Sequence, residues 1–169
     1  MTRACSILPP RESALAPLYK GADLVDAYAV ALPPGAPEDV GVLARAVLGG
    51  LSRWWVRSLM ATRDAAVALV GVKTSRQIAA AAAGRGPVIG FFPVLSQTEH
   101  ELIMGEDDRH LDFRGAILVQ GTADGGRTLA LVSVVHCHNA LGRMYLRAIG
   151  PFHRAIVQTS LERAVVGMG

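Results

Sequence analysis

The spacing of apolar and polar residues changes abruptly near residue 138, and the change predicts the element around which the chain is arranged. Residues 132–135, Val132, Ser133, Val134 and Val135, are β-branched around one serine and suit a buried strand. A few residues later Leu141, Tyr145, Ala148, Ile149, Phe152 and Ile156 recur at three and four, with Arg143, Arg147, Arg154 and Gln158 on the opposite side. This reads as a strand passing with almost no loop into one long helix. Asn139 stands at the junction as an N-cap, able to accept a hydrogen bond from a free first-turn amide. Gly150 and Pro151 fall inside the period. A proline there deletes one backbone hydrogen bond, so a kinked helix is expected and not two helices. At about 100° per residue, His153 lies at the border of the apolar stripe, beside Leu146 and Ser160.

Upstream, residues 26–32, DAYAVAL, read as a first strand ended by Pro33, Pro34 and Gly35. Pro37 with Glu38 and Asp39 predicts a helix start, because proline fits the first helical position and acids favour the positive end of the dipole. Gly49 and Gly50 stop it. Ser52 caps a second predicted helix, whose Trp55, Leu59, Ala66 and Val70 form one apolar line closed by Gly71. Residues 72–87 link the halves, and their alanine run suits helix or loop equally. Four apolar or alternating runs follow, at 88–95, 101–106, 111–121 and 127–138, separated by turns such as Asp107-Asp108-Arg109 and Asp124-Gly125-Gly126. Residues 1–20 carry Pro9, Pro10 and Pro17 without a sustained period and read as a loose lead-in. That leaves residues 21–169 as a single domain. Strands joined by such short links are antiparallel, and the last helix must cover one sheet face. The fold class is therefore α+β of helix-grip type, a curved sheet of five or more strands wrapping the C-terminal helix and leaving a cavity between them.

Composition narrows the partners. With 169 residues and 51% hydrophobic content the chain can bury one substantial core. Its net charge of +3 comes mostly from scattered arginines, with Lys20 and Lys73 the only lysines, and no aromatic interleaving marks a nucleic-acid surface. Cys5 and Cys137 lie at a terminus and in a buried strand, which argues against a structural disulfide and for a reducing cytoplasm. Pro9, Pro10 and Glu12 interrupt any signal-like apolar run. The most hydrophobic window, residues 78–95, is broken by glycines, Pro87 and Pro93, so no stable membrane insertion is expected.

Candidate chemistry gathers in the last two strands and the helix. Alternation puts His110, Asp112 and Arg114 on one face of their strand and Leu111, Phe113, Ile117 and Val119 on the other. Matching the larger apolar faces pairs Leu111 and Phe113 with Val135 and Cys137, which sets Asp112 and Arg114 beside His136 and His138. A three-residue loop, residues 124–126, would place Asp112 directly opposite His138; a slip of one residue would destroy the arrangement. Asp112 could then orient a histidine as a general base, or the cluster could be a hydrogen-bonded group on the solvent face. His136 and His138 also have the spacing of two metal ligands on one strand, but no complete ligand set follows from it, and no metal site is assigned. Tyr145 could be core or proton donor. Arg143 could reach a ligand carboxylate or pair with Glu106 or Asp107, the pairing being favoured. Trp54 and Trp55 suit core or a homodimer surface.

Four segments also resemble a known family: GEDDRHLDFR (105–114), HNALGRMY (138–145), PFHR (151–154) and LVGVKT (69–74). They look like an uncharacterised bacterial family placed in the START-like, polyketide-cyclase-like (SRPBCC) superfamily. The likeness spans roughly residues 26–163. Relatives also form the C-terminal part of some NAD(P)-binding reductase-like proteins, but this chain lacks their glycine-rich nucleotide loop, and His136 stands outside the motif. The resemblance implies a helix-grip fold with a cavity for a hydrophobic ligand. Together with the residues above, it favours an enzyme without redox cofactor or metal that binds an apolar small molecule and promotes cyclisation, isomerisation or dehydration. His138, His153, Asp112 and Tyr145 are the expected catalytic groups, and Arg114, His136, Arg143, Phe113, Ile149 and Phe152 the expected ligand contacts. The alternative is a carrier or sensor of a lipid-like ligand that performs no reaction.

Overall fold

The computed structural model describes residues 3–49, 86–90 and 92–168. In chain order these form β1 (Cys5–Ser6), β2 (Leu24–Ala31), α1 (Val40–Gly49), β3 (Val88–Ile89), β4 (Phe92–Gln97), β5 (Glu101–Asp107), β6 (Leu111–Gly121), β7 (Arg127–Cys137) and α2 (Ala140–Val166). The strands make one curved, open antiparallel sheet in the order β1-β2-β7-β6-β5-β4-β3. The fold class is α+β, consistent with a helix-grip arrangement. The helix expected near 52–70, with Trp54, Trp55 and the segment 69–74, lies outside the described residues.

The two faces of the sheet are covered differently. On the inner face Tyr28 and Val30 of β2, Leu102 and Met104 of β5, Ile117 of β6 and Leu129 and Leu131 of β7 form the main core with α1 and the second half of α2. Helix α2 lies over β2 and β7, while α1 packs against α2 and over β5 and β6. On the outer face Ala27, Ile103, Ala116, Val132 and Val134 make a smaller core with Leu15, Ile7, Tyr19 and Ala22. Strand β7 is sandwiched on both sides, which explains why residues 129–135 are apolar at every position but Ser133 and do not alternate.

Three expectations are corrected. The segment read as a loose lead-in is seated on the sheet: Leu15 is buried, and the buried Glu101 carboxylate accepts from Ser13 Oγ and from the Ala14 amide. Its prolines restrict the chain to a path that side chains anchor, so absence of a helical or strand period did not mean absence of packing. The single strand expected over 88–95 is two short strands paired across Gly90, whose φ of 65° is open to glycine. Helix α1 begins at Val40 and not at Pro37, because the Asp39 carboxylate accepts from the Val42 amide and caps it there.

The strand-to-helix junction is as the period predicts. Asn139 is extended, its side chain accepts from the Gly142 amide, and α2 runs on through Pro151 as one helix. A Cβ at Gly142 would stand 2.1 Å from the backbone oxygen of His110, whereas one at Gly150 would meet nothing within 4 Å. Substituting alanine at the two sites is therefore expected to differ in cost. Gly142→Ala should destabilise by about 1–3 kcal/mol, as overpacking against fixed backbone does. Gly150→Ala should change stability by less than about 1 kcal/mol, since alanine's helix propensity is offset by the Pro151 ring, which disfavours a helical residue with a Cβ before it. Urea unfolding of both variants checks this, and equal effects would show that the close approach at residue 142 is unimportant.

Candidate functional site

Register decides which polar groups meet. Strand β6 pairs with β7 so that Leu111 faces Cys137, Asp112 faces His136 and Gly121 faces Arg127, closed by a five-residue loop, 122–126. Gly125 takes a φ of 81° in that loop, and the Thr122 amide donates to the Gly126 carbonyl. The expected three-residue loop is thus lengthened by two, and the register moves by two. Side chains repeat every two residues, so every face assignment survives the shift. Asp112 no longer stands directly opposite His138, yet reaches it diagonally: His138 Nε2 lies 3.0 Å from Asp112 Oδ1.

This pair sits away from the helix. Asp112, Arg114 and His136 share the outer face with Ala116, Val132 and Val134, and the His138 and Asp112 side chains are 45% and 34% exposed. Arg114 Nη1 pairs with Asp107 at 2.6 Å, and His136 Nε2 lies 2.9 Å from the Leu18 carbonyl of the N-terminal segment. The polar cluster is therefore gathered on one face as expected, and that is the outer face, which the N-terminal segment partly covers. Among the described residues no group of three or more His, Cys, Asp or Glu side chains could hold a metal ion.

His153 belongs to the other face. From α2 its Nε2 lies 3.1 Å from Ser133 Oγ, 3.4 Å from Asp26 Oδ2 and 3.5 Å from Asp26 Oδ1. Asp26 of β2 and Ser133 of β7 are directly paired across the sheet, so backbone register sets the two oxygens side by side beneath the imidazole. Ser133 is wholly buried, and the His153 and Asp26 side chains are 21% and 14% exposed. A carboxylate only accepts, so in the neutral ring Nε2 carries the proton and Nδ1 keeps the lone pair. Nδ1 makes no hydrogen bond among the described residues.

The helix is unevenly buried around this cluster. Val157, Ser160, Leu161, Ala164 and Val165 are buried, while Leu141, Tyr145, Leu146, Ile149, His153 and Ile156 are only half-buried. On the inner face of the sheet Phe113 is half-buried as well and stacks on Phe92 with ring centroids 4.8 Å apart. His153, Tyr145 and Ile149 are thus half-buried along the first half of α2, and Phe113 is half-buried on the inner face of the sheet. Phe152 is instead 52% exposed, because its position on the helix turns it toward solvent. Arg143 is exposed, its guanidinium donating to the Cys137 carbonyl at 3.5 Å. The two histidines expected to act together, His138 and His153, are on opposite sides of the sheet.

Asp26 and Ser133 are the residues that sequence reasoning missed. Each interrupts an inward apolar row, Asp26 with Tyr28 and Val30, Ser133 with Leu129, Leu131 and Val135. A carboxylate in such a row needs a buried partner, and that was the available signal. Nearby, burial pushes the Cys137 thiol above its usual range and the Asp23 carboxylate adds to the rise, with Arg143 opposing it.

A family described as "Protein of unknown function (DUF2867)" matches residues 18–160. No curated protein and no solved structure matches the chain.

The raised thiol has a measurable consequence. A higher pKa leaves less thiolate at any given pH, so iodoacetamide at pH 8 is expected to alkylate the exposed Cys5 first and Cys137 slowly. Asp23→Asn should speed the reaction at Cys137, and equal rates in the two proteins, followed by mass spectrometry, would refute the electrostatic cause.

Proposed function

The chain belongs to the DUF2867 family, whose function is unknown, and we propose that the protein binds an apolar small molecule between α2 and the sheet and moves a proton on it. The observation that carries this reading is the placement of His153 against Asp26 and Ser133 at the half-buried end of an otherwise apolar interface. In this scheme Asp26 holds the imidazole in one tautomer and offsets its charge once it is protonated. Nδ1 accepts a proton from a carbon or hydroxyl of the substrate and returns it to another atom of the same molecule. Cyclisation, isomerisation or loss of a hydroxyl as water each need that transfer and no redox group. Tyr145, Ile149, Phe113 and Phe92 supply apolar and aromatic contact for the ligand skeleton. The roles first given to His138 and Asp112 pass to His153 and Asp26.

The strand order and the sheet beneath the C-terminal helix support placing the family within the START-like, polyketide-cyclase-like superfamily. No described helix is long and apolar enough to cross a membrane, and the two free thiols fit a reducing cytoplasm.

The test uses an apolar β-diketone with an acidic C–H in deuterated buffer, with deuterium uptake followed by NMR and binding by displacement of a fluorescent naphthalene sulfonate. His153→Ala and Asp26→Asn are expected to slow uptake by about 10²-fold or more, the usual worth of a positioned base. His138→Ala should stay within roughly twofold, as an exposed pair outside the interface would. Uptake that persists in His153→Ala rejects the base. Displacement of the probe without any uptake in the unaltered protein converts the reading to a carrier.

A further inference from the structure

The proton-transfer reading uses only the sheet-facing side of α2. The opposite side carries Met144, Ala148, Phe152 and Ala155, spaced four, four and three, which is one continuous stripe on a helix. All four are exposed, Met144 at 62% and Phe152 at 52%, and Pro151 is exposed beside them. Large apolar side chains turned outward in sequence are not what a helix needs in order to cover a sheet.

Along one edge of the stripe run Arg143, Arg147 and Arg154, also exposed. Among the described residues Arg143 hydrogen-bonds only to a backbone carbonyl, and Arg147 and Arg154 make no ion pair or hydrogen bond. No acidic residue occurs from position 140 to 161. The same stretch of a second copy laid on this face would bring no carboxylate to the arginine edge. The charge complement of the stripe is therefore an anionic surface. An anionic lipid headgroup layer meets both halves of it at once, since phosphates pair with the guanidinium edge while phenyl and thioether groups enter the acyl boundary.

We propose that the outward face of the first half of α2, Met144 and Phe152 flanked by Arg147 and Arg154, docks the protein peripherally on an anionic lipid surface. The docked segment is the half of the helix that borders the open interface with the sheet, so an apolar ligand dissolved in that lipid would have the shortest path to His153. Docking itself does not depend on the proton-transfer chemistry.

The experiment is co-sedimentation of the full chain with vesicles of phosphatidylcholine alone and of phosphatidylcholine with one-third phosphatidylglycerol, at low and high salt. Binding is expected to the anionic vesicles only and to fall as salt rises. Met144→Ser with Phe152→Ser should weaken it at least tenfold. Arg147→Gln with Arg154→Gln should weaken it comparably and flatten the salt dependence. All four positions are exposed, so circular dichroism should show both double variants folded. His153→Ala should bind vesicles like the unaltered protein, which separates failure here from failure of the catalytic reading. No binding to anionic vesicles, or binding unchanged in both folded double variants, overturns the proposal. So does a dimer in sedimentation velocity that the Met144→Ser, Phe152→Ser variant dissolves, which would assign the stripe to self-association.

Discussion

The attachment of the start of α2 to the turn before β6 determines where everything inside the fold can be. Asn139 makes three contacts there: its Oδ1 accepts from the Gly142 amide, and its Nδ2 donates to the Arg109 carbonyl and lies 3.0 Å from His110 Nδ1. The missing side chain at Gly142 lets the helix backbone touch the His110 carbonyl. The phase and height of the helix over the sheet are set at that point. His153 follows eleven residues on, roughly 16 Å along the axis at 1.5 Å per residue, and arrives above the Asp26 and Ser133 pair. The segments that carry the family resemblance, 105–114 and 138–145, are largely this joint. Gly105 has the same kind of reason, since a Cβ there would meet the Phe113 carbonyl at 2.4 Å.

The two histidine-carboxylate pairs lie on opposite faces of one sheet and differ in what they cost the fold. Asp112 and His138 are half open to water, where Coulomb attraction is screened and side-chain ordering offsets most of it. Asp26 and His153 are mostly withdrawn from water, and Asp26 Oδ2 is buried with no hydrogen bond, although it lies 3.4 Å from the imidazole. Such a carboxylate is expensive to bury unless charge is supplied nearby. His153 is the hydrogen-bonding group that the fold sets against it, from the helix side.

Helix α2 divides its work along its length. The second half is bonded to the sheet and α1 by side chains that are nearly all buried, and it supplies cohesion. The first half is half-buried on its inner side, basic along one edge and apolar on its outer side, and it gives up packing that a purely structural helix would have made. Departures of this kind from consistent local rules are where function is most often found.

Reading the chain alone determined the period of each element, because side-chain alternation and helical spacing are local properties. The long helix with its Asn139 cap, the limits of β6, the α+β class and the gathering of Asp112, Arg114, His136 and His138 on one face all follow from spacing. The direction of that face did not follow. Period two says which residues share a face, never which face the helix will cover, and both faces of β7 are apolar. The covering of the outer face by residues 7–22 and the meeting of Asp26, Ser133 and His153, separated by 107 and 20 positions along the chain, were decided only when strands paired and the helix docked. Long-range register is a property of the assembled sheet, and no local pattern encodes it.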